Sequence, residues 1–225
     1  MTKGNKTRQE ILHKVAILFN EKGYAATSMQ DITQVTGIQR GGIYNHFASK
    51  EDLALATFEY TCSVLGQRLR QGMSRENTAL GQLKAIATTF AELYTHNPLF
   101  PCGCQVLNTA VEAKREMLPL REKAQEAMGQ LKNLIAKTTL RAVEQGELPR
   151  SVDAESVAAI FISALEGAML LSVLYDDSAY LSHAVNHLHW YLDRVTEELG
   201  SAMASDCRTI GLTPAQPLEG LRSQP

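Results

Sequence analysis

Three side chains that can read the edges of DNA bases lie within seven residues of one another: Gln39, Arg40 and Asn45. Arginine can form two hydrogen bonds with guanine, and asparagine or glutamine can do the same with adenine. The surrounding segment, residues 38–47, has few apolar residues and a polar outer edge. A short helix of this kind is a poor core element. It is typical of a helix that is presented to a groove of duplex DNA.

The residues before this segment predict a helix that would support it. That helix would begin at Thr27 or Ser28, because their hydroxyls can accept unpaired backbone N–H groups. It would end at Gly37, where the chain must reverse with a positive φ. Its buried face is predicted from apolar residues at three-residue intervals: Met29, Ile32 and Val35. The two helices together make a helix-turn-helix.

Residues 7–55 as a whole resemble the DNA-binding domain of the tetracycline-repressor (TetR) family of bacterial transcription regulators. The matching pieces follow one another in the family's order: a first helix that ends in Lys22-Gly23-Tyr24, then Thr27-Ser28, Asp31-Ile32, Gly37, Gly42-Ile43-Tyr44-Asn45-His46-Phe47 and Ser49-Lys50-Glu51-Asp52-Leu53. The chain departs from the pattern at Thr36, where a small residue is usual. It also departs in residues 39–42, where extra glycine lowers helix propensity by about 1 kcal/mol per residue.

The resemblance implies that the chain binds double-stranded DNA at a palindromic operator. Phosphate contacts are expected from Thr27, Ser28, Tyr44, His46 and Lys50. Base contacts are expected from Gln39, Arg40 and Asn45, and Gly41 completes the predicted DNA-contacting set. Two alternatives stay open. Tyr44 could be mainly a packing residue, and Thr27 could be only a helix cap.

Charge and composition agree with a cytoplasmic DNA-binding protein. Residues 1–55 carry seven Lys or Arg against five Asp or Glu, a surplus of +2 in a chain whose net charge is −2. No apolar run approaches the roughly 20 residues needed to cross a bilayer, and the polar N-terminus has no signal segment. We therefore expect no membrane partner and a cytoplasmic protein that is associated with the nucleoid when bound to DNA.

Beyond residue 55 the sequence predicts helices throughout, with Pro and Gly between them. No stretch alternates with a period of two, so no sheet is expected and the fold class is all-α. The predicted organisation is a helix-turn-helix domain of three helices at 1–55, a larger helical domain for ligand binding and dimerisation at 56–200, and a mobile tail at 201–225.

The last two predicted helices carry an apolar seam with heptad spacing. The seam could be a core stripe inside one chain, but we favour a face that pairs with its copy in a four-helix bundle. The family resemblance supports a homodimer of this kind. The predicted dimerisation residues are Phe161, Leu165, Leu181, Val185, Leu188, Leu192 and Val195.

The larger domain is expected to hold a small-molecule effector of unknown identity. Residues 101–112 are similar to a Gly-Cys…Asn-Thr-Ala-x-Glu segment of one TetR subgroup, and helices of the family's larger domain surround a mostly apolar pocket. The predicted effector-binding residues are Phe90, Tyr94, Cys104, Leu107, Asn108, Glu112, Met128, Phe161, Glu166 and Met169.

Two rival hypotheses remain. Cys102 and Cys104, with His96 upstream, could serve a thiol- or metal-responsive regulator, although adjacent bridging is strained and a tetrahedral site needs more ligands. The second rival hypothesis is an all-helical enzyme or carrier that has an N-terminal module of three helices. The sequence lacks a phosphate-binding glycine loop, a His-Glu-x-x-His motif and a Gly-x-Ser-x-Gly motif. We therefore predict no enzyme activity, no catalytic residue, no cofactor and no metal site.

Overall fold

The computed structural model describes residues 3–96, 100–113 and 117–209. Regular structure in these ranges is helical and no strand occurs in them, which confirms the predicted all-α class. The helices are α1 (Lys3–Lys22), α2 (Met29–Thr36), α3 (Arg40–Tyr44), α4 (Lys50–Met73), α5 (Ala79–His96), α6 (Gln105–Glu112), α7 (Leu118–Glu144), α8 (Ala154–Tyr175) and α9 (Ala179–Thr209).

The helix-turn-helix forms with the predicted signals at both ends of α2. Ser28 is the N-cap: its hydroxyl accepts the N–H of Asp31 at 3.1 Å, and the Asp31 carboxylate accepts the N–H of Ser28 at 2.6 Å. Gly37 ends the helix with φ 71°, a left-handed conformation that glycine adopts without a Cβ clash. Its N–H donates to the carbonyl of Thr33 at 2.9 Å.

The predicted buried face of α2 is wrong at one position. Ile32 is fully buried and Met29 is half-buried, but Val35 is 38% exposed. Thr36 is buried in its place, and its hydroxyl donates to the carbonyl of Ile32 at 2.7 Å. The reason is the helical period of 3.6 residues, which places i and i+4 on one face more closely than i and i+3.

The core of the helix-turn-helix continues into the larger half of the chain. Ile32 and Phe47 belong to one buried apolar cluster with Val106 of α6 and Leu120 of α7. The domain boundary expected at residue 55 falls inside α4, which runs on to Met73. The two halves therefore share both a helix and a core.

A second core lies among α5, α7, α8 and α9, and it contains the heptad seam. Five predicted dimerisation residues are buried within this core: Phe161, Leu165, Leu181, Leu188 and Leu192. The other two, Val185 and Val195, are half-buried and pack against it. The prediction that this seam pairs with a second chain is therefore wrong at the five buried positions, because α5 and α7 of the same chain already cover them, and it stays a prediction for Val185 and Val195.

A different apolar surface of α8 and α9 is exposed. Six of its members are exposed along α8, mostly towards the C-terminal end of that helix, and the seventh, Trp190, is exposed on α9. We call this surface the outer face, and its residues are Ile160, Leu170, Leu171, Val173, Leu174, Tyr175 and Trp190.

α8 is apolar on nearly every side. It spans 22 residues and contains an 18-residue window with a mean hydropathy of 2.2, so length and composition alone would allow it to cross a membrane. Ser163, Glu166 and Ser172 interrupt this stretch, so it is not an unbroken apolar run. α8 packs against α7 and α9 and supplies buried side chains to the second core, as a core helix does.

The helix α9 also extends further than expected. The tail was predicted to begin at residue 201, but the chain is helical through Thr209. The rest of the predicted tail, residues 210–225, lies outside the described residues.

Candidate functional site

α3 presents the predicted base-reading side chains at the surface. Gln39 is its N-cap, and Gln39, Arg40, Gly41 and Asn45 are all exposed. The Arg40 guanidinium lies 5.5 Å from the centre of the Tyr44 ring, and its Nη2 is 3.5 Å from the Tyr44 hydroxyl. This stacking holds the guanidinium along α3 and leaves most of its N–H groups directed to solvent.

The opposite side of α3 anchors it to the protein. Ile43 and Phe47 are buried, and the N–H of Phe47 donates to the carbonyl of Ile43 at 3.1 Å. His46 is half-buried beside Phe47, with ring centres 6.3 Å apart. Packing therefore fixes a five-residue helix whose glycines alone would favour it weakly.

The predicted phosphate contacts divide into surface and interior groups. Ser28 is exposed at the N-terminus of α2, where backbone N–H groups favour an anion. Thr27 is only 1% exposed, and its hydroxyl donates to the carbonyl of Gly23 at 2.6 Å. The prediction for Thr27 is therefore wrong, as is its alternative role as N-cap, because the side chain points into the interior and Ser28 is the cap.

Lys50 has an internal partner at the start of α4. Its ammonium donates to the carbonyl of Tyr24 at 2.7 Å and lies 4.3 Å from the centre of that ring. Burial lowers the pKa of Lys50. The phosphate contact of Lys50 stays a prediction. It would use the same ammonium group that donates to the Tyr24 carbonyl.

A segment of the larger half is hydrogen bonded directly to α1 and to the loop that leads from α1 into the helix-turn-helix. At the end of α6, the Glu112 carboxylate accepts the N–H groups of Tyr24 at 3.0 Å and Ala25 at 2.7 Å. Gly23 allows this approach, since a Cβ there would stand 3.0 Å from a Glu112 carboxylate oxygen. Glu112 was predicted as an effector anchor, but it binds the backbone between α1 and α2.

A buried amide makes a second connection. The Asn20 side chain in α1 accepts the N–H of Cys102 at 2.7 Å and donates to the carbonyl of Gly103 at 3.0 Å and to the Gln105 side chain at 3.1 Å. Residues 102–112 are therefore bonded at one end to α1 and at the other to the loop that leads into the helix-turn-helix. We call residues 102–112 the bridging segment.

A cavity of about 240 Å³ lies between α4 and α7, closed by residues of α5, α6 and α8. Four predicted effector residues line it: Phe90, Cys104, Met128 and Glu166. Its other lining residues come mainly from α4 and α7 and were missed: Cys62, Leu65, Gly66, Leu69, Arg70, Val106, Ala127, Gln130, Leu131 and Leu134. The signal that could have found the α4 side is the spacing of Cys62, Leu65 and Leu69, which share one helical face.

Six predicted effector residues are absent from the described lining of this cavity: Tyr94, Leu107, Asn108, Glu112, Phe161 and Met169. Phe161 and Met169 are buried in the second core, because they project from α8 at a different angle from Glu166. The Asn108 amide donates to the carbonyl of Cys102 and so stabilises the bridging segment. Tyr94 packs between two rings, 4.7 Å from Phe90 and 5.1 Å from Phe100.

Glu166 is the polar group that stands out in the cavity wall. It is 8% exposed, and neither carboxylate oxygen has a hydrogen-bond partner among the described residues. Burial raises the pKa of Glu166, and the nearby Cys104 thiol opposes this shift. Burial also raises the pKa of Tyr94 and the pKa of Cys104. The negative charge of Glu166 raises both of these pKa values further.

The two cysteines of the Cys102-Gly103-Cys104 sequence face different environments. Cys102 is exposed, whereas Cys104 is buried at the start of α6. Burial raises the pKa of Cys104, and it raises the pKa of the other cavity thiol, Cys62, to about 12, so neither is a ready thiolate. Among the described residues, no group of three or more His, Cys, Asp or Glu could hold a metal ion. The side chain of His96 lies outside the described residues.

The unpaired carboxyl of Glu166 should make stability depend on pH. Because its folded-state pKa is raised, the unfolded chain loses this proton first, and stability falls as the pH rises above about 4 until the folded group also ionises. Glu166→Gln should therefore gain stability relative to wild type across that window, as measured by urea unfolding between about pH 4 and pH 8. Glu155→Gln, on the exposed side of α8, is the control. A difference between Glu166→Gln and wild type that stays constant with pH would contradict the unpaired state of Glu166.

Comparison with known proteins agrees with this geometry. The family model "Bacterial regulatory proteins, tetR family" matches residues 11–57, and "Tetracyclin repressor-like, C-terminal domain" matches residues 79–188. A crystal structure of a TetR transcriptional regulator from Chloroflexus aurantiacus J-10-FL has 34% identity and a TM-score of 0.80, over 86% of this chain and 97% of that one. A TetR-family regulator from Cytophaga hutchinsonii has 30% identity and a TM-score of 0.77, over 87% and 97%.

A curated relative extends the comparison to sequence. The HTH-type transcriptional regulator TtgR of Pseudomonas putida is 27% identical over 178 residues, which are 78% of this chain and 84% of the relative. Proteins of this family are soluble cytoplasmic DNA-binding regulators and not enzymes. The chain therefore belongs to the tetracycline-repressor family and is a helix-turn-helix transcription regulator.

Proposed function

We propose that this chain binds a palindromic operator as a homodimer and represses transcription until a small molecule occupies the cavity between α4 and α7. When bound to DNA it would be part of the nucleoid. The polar surface of α3 supports direct base reading, and we assign base contacts to Gln39, Arg40 and Asn45 and backbone contacts to Ser28, Tyr44 and His46. No catalytic role is proposed for any residue.

The observation that carries this proposal is the bridging segment. Two of its residues, Cys104 and Val106, line the cavity. Others bind the elements that lead into the helix-turn-helix: Cys102 and Gly103 bind Asn20 of α1, and Glu112 binds the backbone of the loop after α1. A ligand that displaces the start of α6 would move the whole short helix. It would then disturb hydrogen bonds that position the recognition module.

A small displacement is enough because two-fold DNA readers have a strict spacing. Their recognition helices must enter successive major grooves about 34 Å apart. A rigid-body shift of one module relative to its copy breaks that register without unfolding either module. Because α1–α4 share one core with α6 and α7, we expect a ligand that displaces α6 to move these helices together as a rigid unit.

The outer face is our candidate for the dimer interface. Regulators of this family bind operators as dimers, and a large exposed apolar patch on a soluble protein marks an interaction site. On α8, Gly167 lies between Ile160 and Leu170 on the exposed side, and a Cβ there would meet nothing within 4 Å. A second copy of α8 could therefore approach closely in a two-fold contact.

Operator recognition is testable with Arg40→Ala. Genomic fragments bound by the purified protein would be sequenced to obtain the operator, and the absence of a shared palindrome would contradict the proposal. Gel-shift titrations should then show that Arg40→Ala loses about 1–3 kcal/mol of preference for this operator over random DNA. Arg68→Ala, an exposed change on α4 in the larger half, is the control. An equal loss of affinity for the operator and for random DNA would instead indicate that Arg40 contacts phosphate.

The dimer interface is testable with Leu174→Arg, at a residue that is 66% exposed on the outer face. Two-fold symmetry would place this charge in the interface from both copies, so we expect a predominantly monomeric protein in sedimentation velocity. Leu140→Arg changes an exposed leucine of α7 outside the outer face and should leave the dimer intact. Dissociation by Leu140→Arg alone would place the interface elsewhere.

Coupling between cavity and DNA is testable without knowing the effector. Leu134→Trp would fill part of the cavity and should weaken operator binding by about 5- to 150-fold, the range of typical allosteric coupling. Glu112→Gln weakens the bond between bridging segment and helix-turn-helix, so the same Leu134→Trp change should have a smaller effect in that background. Circular dichroism would confirm that each variant is folded. Additive effects of the two changes on operator affinity would contradict transmission through Glu112.

A further inference from the structure

The Glu166 carboxylate is left without a partner by the fold. It lies in the cavity wall, neither oxygen has a hydrogen-bond partner among the described residues, and the nearby Cys104 thiol is a weak donor that only partly offsets the effect of burial on its pKa. Native proteins give nearly all buried polar groups a hydrogen-bond partner. A buried carboxylate without such a partner is among the groups whose burial costs the most free energy. Among the described residues, the Ser172 hydroxyl is the other buried side-chain group without a partner, and Glu166 is the one that can carry a charge and lines the cavity where a ligand is proposed to bind. It therefore points to a partner that comes from outside the chain.

The groups around Glu166 lack positive charge. Its neighbours Tyr94 and Cys104 are either neutral or negative and never positive, and the pKa of each is raised. Among the described residues that line the cavity, Arg70 is the one basic side chain, and it is exposed. A ligand carboxylate deep in this cavity would face Glu166 without a counter-charge. A ligand ammonium would supply the missing charge and a charge-assisted hydrogen bond.

The rest of the wall suits an apolar body. Leu65, Leu69, Leu131 and Leu134 line the cavity with Phe90, whose ring can also face a cation. The volume of about 240 Å³ is below the range of most drug-sized sites, which favours a compact molecule.

We propose that the effector is a compact, largely apolar organic cation whose ammonium group pairs with Glu166. This inference rests on the proposed function of the cavity as the effector site. The ligand's hydrocarbon part would lie along the leucines of α4 and α7. Its charged end would lie beside α8, next to Cys104 at the start of the bridging segment. Occupation would therefore press on the residue that begins α6.

The chain also has an opening for such a molecule. A cleft between α4 and α7 shares Cys62, Gly66 and Arg70 with the cavity. Lys123 spans this cleft and pairs with Glu59 of α4 at 3.2 Å and with Glu126 of α7 at 3.4 Å. Surface ion pairs contribute little free energy, so these two can break readily and let the cleft open.

The test compares amines with alcohols of the same carbon skeleton. Butyl, cyclohexyl and phenethyl amine and alcohol pairs, with hydrocinnamate as an anionic probe, would be titrated calorimetrically into the full-length protein. We expect at least one amine to bind about tenfold or more tightly than its alcohol, and Glu166→Gln to remove that preference while retaining the alcohol. Glu155→Gln, an exposed carboxyl on the same helix, should behave as wild type.

The outcomes separate this inference from the proposed function. Tighter binding of an alcohol or of hydrocinnamate, no amine binding at all, or an amine preference that survives Glu166→Gln would each overturn the cationic ligand. If an alcohol or acid binds and releases operator DNA in gel shifts, the effector cavity stands and only its ligand chemistry is wrong. If an amine binds through Glu166 but leaves operator affinity unchanged, the ligand chemistry stands and the proposed repression mechanism fails.

Discussion

The bond between the Glu112 carboxylate and two backbone N–H groups after α1 is the interaction on which the rest of this structure depends. It joins the last residue of a short helix in the larger half to the loop that leads into α2. The close approach requires glycine at position 23. Without this contact, the wall of the cavity would be hydrogen bonded to the N-terminal domain only through the Asn20 amide, and the remaining contact would be apolar packing, which is less directional.

The helix-turn-helix was predictable because its signals are local. A capping residue at Ser28, a left-handed glycine at position 37 and a cap at Ser49 each specify a chain direction within a few residues. The burial of Thr27 was not predictable in this way. Its hydroxyl is bonded to Gly23, and that orientation is set by how the loop folds against α1 and α4.

Longer-range features were harder to predict, and α8 shows why. A helix that is apolar all round gives no periodic signal to say which side meets its own chain and which meets a partner. The heptad spacing along α9 is real, but the same spacing serves a core inside one chain, as at Leu188. The cavity was predicted only in part for a related reason. Phe90 and Glu166 were identified, whereas the α4 side depends on how that helix packs against α7.

The arrangement of faces on α8 has an evolutionary consequence. Glu166 borders the cavity, Leu165 lies in the core, and Gly167 and Leu170 lie on the outer face. Neighbouring positions on this helix are therefore under three different constraints: packing in the core, the wall of the cavity and the exposed outer face. A change of ligand charge at residue 166 is hard to make without disturbing its neighbours. We expect descendants of this chain to diversify their ligands through α4 and α7, which line the cavity opposite α8, while α8 itself changes slowly.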